Sequence, residues 1–193
     1  MDPTRFLLIR HAESVWNASG RWQGQADPPL SERGRRQAEA VAADLARARF
    51  DVLISSDLTR ALETARIIGR ATGIEPRVDR RLRELDVGAW AGLGRDEIAR
   101  VAPERLERFE SGDPDARPGG GETRREIRQR VRRTFADLAS RHAGRRVAVV
   151  THLGVIRALL RGRDLGNAEW CEVSAAELAQ PDADEERAGP PPR

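Results

Sequence analysis

The 193-residue sequence contains no lysine and no tyrosine, one cysteine and one methionine. With lysine absent, all 34 basic groups are arginines, set against 31 carboxylates. The formal excess of +3 therefore persists until guanidinium itself loses its proton, and a high isoelectric point overstates how basic the surface is. Arginine alternates with glutamate and aspartate, the pattern of a solvated exterior laced with ion pairs. Aromatics are scarce, four Trp and four Phe. No basic-aromatic stripe of the kind that tracks nucleic acid occurs, so nucleic acid is not expected as a partner. The lone Cys171 rules out an internal disulfide framework and suits a reducing compartment. No secretory h-region and no run of about 20 apolar residues is present. These absences predict a soluble, cytoplasmic protein that engages no membrane. The length suits one domain, assigned to residues 1–178, with a tail over 179–193 whose Pro, Asp, Glu, Arg and Gly predict disorder.

What the sequence does contain is organised around Phe6-Leu7-Leu8-Ile9-Arg10-His11, an apolar run that ends in two polar residues. It reads as a buried strand. The same pattern returns at Val147-Ala148-Val149-Val150-Thr151-His152, and a shorter run, Val52-Leu53-Ile54-Ser55, lies between them. Ser31 is a candidate N-cap for a helix over 32–48 with Ala38, Val41, Ala42 and Leu45 on one stripe. The Ser56-Asp57 pair is read as the cap of a second helix running to about Ala71. Helical pieces are expected at 95–101 and 103–110, with a loop over Ser111–Gly121. Thr123 and Glu126 form a capping box for a helix whose Ile127, Val131, Phe135 and Leu138 recur at helical spacing. Its arginines at 124, 125, 128, 130, 132 and 133 are read as mostly its wet face. A further helix is expected from Val155 to about Leu160, a short strand at Arg77-Val78 and an edge strand within Glu169–Ser174. Alternating strands and helices predict an α/β fold, a three-layer α/β/α sandwich with a mostly parallel central sheet.

Open α/β sheets bind ligands at the carboxyl ends of their strands. If the three apolar strands are neighbours, Arg10, His11 and His152 meet there, together with Arg60 from the first turn of the second helix. Glu84, on a glycine-punctuated loop, is a candidate to complete the group. Two arginines, two histidines and a carboxylate describe an anion site with acid-base capacity, and the planar fork of arginine suits phosphate. Each residue also has a plainer reading. Arg10-His11 could be a strand stop, and Arg60 could be a surface ion pair to Glu63 or Glu84. His142, followed by Gly144, reads as an ordinary helix C-terminus.

Leu8-Ile9-Arg10-His11-Ala12-Glu13-Ser14 with Asn17 resembles the signature of the histidine phosphatase superfamily, the phosphoglycerate-mutase-like proteins. The resemblance continues in order through Ser31-Glu32-Arg33-Gly34, Ser55-Ser56-Asp57-Leu58-Thr59-Arg60-Ala61, Leu82-Arg83-Glu84, Gly120-Gly121-Glu122-Thr123 and Thr151-His152-Leu153-Gly154. It covers roughly residues 5 to 161. It implies a phosphatase that acts on small phosphomonoesters without metal or other cofactor. His11 would take the phosphoryl group on a ring nitrogen, and Glu84 would serve as proton donor. Arg10, Arg60 and His152 would hold the phosphoryl oxygens, and Asn17 would add a neutral donor. Gln23, Gly24 and Leu153 resemble positions near the substrate.

Three departures from the family pattern stand out. Ala12 stands where many members have glycine, a small change. The segment from Leu160 to Asn167-Ala168-Glu169-Trp170 is short, which bears on one wall of the pocket and hence on substrate choice. The region between Glu84 and Gly121 is compact, which leaves a more open site and favours hydrolysis over phosphoryl return. A mutase is the alternative within the fold, and a non-catalytic phospholigand-binding protein is the alternative outside it. Cys171 does not support cysteine-dependent phosphatase chemistry, because Glu177 stands six residues on, where an arginine would be needed. Three scattered histidines lack the paired spacing of a zinc site. Oligomeric state is not legible.

Overall fold

The structure, a computed structural model, describes residues 3–160 and 162–180. The first strand, β1 (Arg5–Arg10), buries Phe6, Leu7, Leu8 and Ile9 completely. Because side chains alternate across a strand, Phe6 and Leu8 enter one core while Leu7 and Ile9 enter another on the opposite face. A four-residue helix, α1 (Val15–Ala18), follows, capped by Ser14. Helix α2 (Glu32–Ala48) starts where Ser31 accepts the N–H of Gly34, and the expected stripe of Ala38, Val41, Ala42 and Leu45 is buried. Gly34 packs against the backbone of Glu13 so closely that a Cβ would collide with its carbonyl.

Strand β2 (Val52–Ser55) leads to α3 (Thr59–Thr72). This helix is not capped by the Ser56-Asp57 pair. Asp57 is drawn away by Arg83, which holds it with two hydrogen bonds of 2.7 and 2.6 Å, and Ser56 Oγ meets His152. Asp27, arriving from a distant loop, takes the N–H and hydroxyl of Thr59 instead. The remaining elements are β3 (Arg77–Val78), α4 (Arg95–Val101), α5 (Pro103–Glu110), α6 (Arg124–Arg141), β4 (Arg146–Thr151), α7 (Leu153–Leu159), β5 (Trp170–Ser174) and α8 (Ala175–Leu178). Helix α6 opens on the Thr123–Glu126 capping box and buries Ile127, Val131, Phe135 and Leu138. Phe135 meets Phe6 edge-on at 5.0 Å, joining helix to sheet. Helix α7 starts two residues before the expected Val155, directly after His152.

The five strands lie in the order β3-β2-β4-β1-β5, parallel except for β5, which runs antiparallel at one edge. Helices α2 and α3 cover one face, and α4 to α7 cover the other. This is the predicted three-layer α/β/α arrangement. The topology brings the carboxyl ends of β2, β4 and β1 side by side. The tail expected to be disordered falls mainly on residues 181–193, outside the described residues. No helix among the described residues is long and apolar enough to cross a membrane.

Candidate active site

A cavity of about 260 Å³ opens at the carboxyl ends of these strands. Its wall contains Arg10, His11, Asn17, Gln23, Gly24, Arg60, Glu84 and Leu153, eight of the nine residues singled out in the sequence. The ninth, His152, is fully buried, and its ring stands 5.1 Å from that of His11 between centroids.

His11 extends the ladder past β1 by donating its N–H to the Thr151 carbonyl at 2.9 Å. Its Nδ1 lies 2.7 Å from the Ala12 carbonyl oxygen. A carbonyl can only accept, so Nδ1 carries the hydrogen, and the neutral ring keeps its lone pair on Nε2. Burial, with Arg60 and Arg10 nearby, pushes the His11 pKa well below the ordinary histidine value, against the Ala12 hydrogen bond. The ring is therefore neutral at physiological pH. His152 is likewise held well below the ordinary value by burial, Arg60 and His11. Its Nε2 meets Ser56 Oγ at 2.9 Å. That oxygen also takes the Leu58 N–H, at 3.3 Å, so its own proton is free to go to His152. When the hydroxyl donates there, the His152 hydrogen sits on Nδ1, a buried atom with no hydrogen-bond partner in the protein.

Arg60 occupies the first turn of α3 and is fully buried. Neither of the surface ion pairs open to it is made. Its two terminal nitrogens donate to the carbonyls of Ala26 and Gly24, each at 2.8 Å. Burial lowers its pKa to about 10, against the attraction of Glu84, so it stays cationic at neutral pH. Arg10 donates to the Leu165 carbonyl at 2.8 Å. The Nε atoms of both arginines are buried without a protein acceptor. Buried donors are almost always satisfied. Three such orphans on Arg10, Arg60 and His152 fit a site built to receive an anion.

Glu84 is fixed from both sides of the chain. Its Oε1 accepts the Leu85 N–H at 2.7 Å, and its Oε2 accepts the Gly154 N–H at 3.1 Å. Gly154 is the residue that permits this approach, because a Cβ there would collide with Oε1. The flanking backbone is tied down as well. Arg130 donates to the carbonyls of Arg81 and Arg83 while pairing with Glu122, and Thr151 Oγ1 donates to the Leu82 carbonyl. Arginine 130 is thus part of the loop's scaffold, a correction to its reading as wet face. The reason is tertiary: α6 packs beside the loop, which helical periodicity does not reveal.

Asn17 Oδ1 accepts the Ser14 N–H at 3.1 Å, which orients the amide and leaves its NH₂ as the donor end. Gln23 accepts from Ser14 Oγ at 2.8 Å, and Gly24 contributes its carbonyl to Arg60. Leu153 begins α7 on the cavity wall. The short segment after His152 closes the wall. Leu165 holds Arg10, and Asn167 Nδ2 donates to the His11 carbonyl at 3.1 Å. His142 caps α6 away from the cavity.

Sequence reading did not single out Arg21, Trp22, Leu85, Val87, Phe109, Gly154 or Arg157 as wall residues. Trp22, Trp90 and Phe109 form an aromatic cluster, with Trp22 and Trp90 edge-on at 5.5 Å, that backs one side of the cavity. Scarcity was the available signal: in a chain with eight aromatics, three in one cluster mark a place of consequence. No group of three or more His, Cys, Asp or Glu able to hold a metal ion occurs among the described residues.

The class of protein that this fold and cavity define is matched by a family model: that of the histidine phosphatase superfamily (branch 1) covers residues 6–188, and the chain belongs to that superfamily. A phosphoserine phosphatase 1 from Hydrogenobacter thermophilus is 38% identical over 164 residues, spanning 83% of this chain and 78% of its own. A glucosyl-3-phosphoglycerate phosphatase from Mycobacterium tuberculosis is 36% identical over 195 residues, with 90% and 86% covered. Among solved structures, a mycobacterial glucosyl-3-phosphoglycerate phosphatase with VO3 superposes with a TM-score of 0.80 at 38% identity, over 88% of this chain and 92% of that one.

Proposed function

We propose that this histidine phosphatase hydrolyses small phosphomonoesters in two displacements at His11, without a metal ion. The carrying observation is the hydrogen bond from His11 Nδ1 to the Ala12 carbonyl, in a ring kept neutral by burial and two arginines. It leaves Nε2 as a nucleophile with its lone pair toward the cavity. In the first step, Nε2 attacks phosphorus as the bond to the ester oxygen breaks, and Glu84 in its acid form gives the leaving oxygen a proton. Arg10, Arg60, Asn17 and His152 supply donors to the phosphoryl oxygens, where charge spreads in the transition state. In the second step, Glu84 as carboxylate takes a proton from water, the hydroxide attacks phosphorus, and the N–P bond breaks to release inorganic phosphate and restore the neutral ring. The names of its relatives, phosphatases of phosphoserine and of glucosyl-3-phosphoglycerate, support small phosphorylated metabolites as the substrate class.

The test is a panel of phosphomonoesters assayed for released phosphate in the presence of EDTA, with wild type beside Glu84→Ala. Turnover that survives the chelator and falls in the variant is expected. Quenching in alkali, where phosphohistidine survives, should show one phosphoryl group on a peptide containing His11. Activity that needs an added metal, or a phosphoryl group elsewhere, would overturn the reading.

A further inference from the structure

The catalytic cavity does not end at Glu84. A second recess of about 110 Å³ shares Leu85, Phe109, Gly154 and Arg157 with it, so the two spaces adjoin. The remaining lining is Arg124, Ile127, Arg128 and Ala158. Three arginines and no carboxylate face this recess. Arg157 is paired outward with Asp164, at 2.6 and 2.8 Å. Arg124 is different. Its guanidinium lies 4.3 Å from the centre of the Phe109 ring and donates to the Phe109 carbonyl at 3.1 Å. Its Nε is buried with no acceptor, and no carboxylate lies within ion-pair distance of it among the described residues. Burial, then repulsion from Arg157 and Arg128, lowers its pKa. A half-buried cation with no carboxylate beside it is costly unless an anion joins it.

We propose that this recess is a second anion subsite, in which Arg124, with Arg157 at the junction, holds a carboxylate or phosphate on the leaving-group part of the substrate. The inference rests on the phosphomonoesterase reading and narrows it to substrates with a second negative charge beyond the reacting phosphate. The apolar surround of Leu85, Phe109, Ile127 and Ala158 excludes water and strengthens the attraction. Placed there, the second anion fixes the ester oxygen beside Glu84, whose charge Arg157 also feels.

Two matched pairs of substrates test it. 3-Phosphoglycerate against glycerol 3-phosphate varies a carboxylate on one three-carbon frame, and 1,3-propanediol bisphosphate against its monophosphate varies a phosphate. Wild type should favour the more anionic member of at least one pair about tenfold or more in kcat/KM, mainly through KM, and the pair that shows it identifies the group. Arg124→Gln should cut that preference to threefold or less, and Arg124→Lys should retain most of it. Arg125→Gln, on the same helix but paired with Asp115, should keep the wild-type ratio. No preference in wild type, or equal losses on both members in Arg124→Gln, would overturn the subsite. If no phosphomonoester is turned over, the phosphatase reading fails separately. Calorimetric binding of the same four compounds to wild type and Arg124→Gln then decides the subsite by itself, and equal affinity within each pair refutes it.

Discussion

His11 and His152 end adjacent parallel strands, and both are buried, neutral and close to Arg60. They differ in what holds them. His11 gives its Nδ1 proton to a carbonyl and borders the cavity. His152 is bound at Nε2 by a serine hydroxyl, lies off the cavity wall, and keeps an unpartnered Nδ1. Two residues of one type, at equivalent ends of neighbouring strands, thereby differ in which ring nitrogen their surroundings hold. The distinction comes from one acceptor-only neighbour, because a carbonyl fixes the tautomer and a hydroxyl does not.

The sharpest way to break this comparison is to remove each ring in turn. His11→Ala should lower kcat by about 10⁴-fold or more, the loss of a nucleophile, and abolish the trapped phosphoryl group. Glu84→Gln should cost about 10²- to 10⁴-fold, less with a leaving group as good as p-nitrophenolate, whose expulsion needs no proton. His152→Ala should cost about 10²- to 10³-fold, the loss of a transition-state donor, yet still form phosphohistidine on His11. A trapped phosphoryl group on His152 in the His11→Ala protein would reverse the assignment. Ser56→Ala should remove the bonds to His152 and to the Leu58 N–H, with a loss of roughly 1 kcal/mol in stability and a severalfold fall in kcat, read by chemical denaturation and steady-state kinetics.

The smallest effect is on stability against pH. Both rings stay neutral in the fold, so below about pH 6.5 the unfolded chain binds more protons than the native one. Their contribution is complete above that value and is lost as pH falls toward their depressed native pKa. Tm should decline between about pH 7.5 and 5, and decline less steeply in His11→Ala and in His152→Ala. A Tm independent of pH in this window would show that the rings are not held neutral.

Much of the fold was legible. The bounds of α2, α4, α5 and α6, the caps at Ser31 and Thr123, and the strand at β3 all follow from spacing and cap chemistry within a few residues. The cap of α3 was not legible, since Asp27 reaches Thr59 from thirty-two positions away. The arginines of α6 show the same limit. Arg125 and Arg133 are exposed as expected, whereas Arg124 and Arg130 are half-buried and turn to Phe109 and to the loop bearing Glu84. Helical periodicity locates the apolar stripe, but a long side chain at its margin can point to water or to a neighbouring element.

By itself the sequence determined the chemistry available and the elements that carry it. Four apolar residues in succession make a strand buried on both faces, and the residue after such a strand is delivered to the sheet edge. These are local consequences of backbone geometry and side-chain period. Only the tertiary structure decided that β2, β4 and β1 are neighbours, which nitrogen of His11 is free, and that Arg124 looks into a recess beside the catalytic cavity. Those facts depend on contacts between residues far apart in the chain, and no local pattern encodes which distant partner a carbonyl, a hydroxyl or a guanidinium will meet.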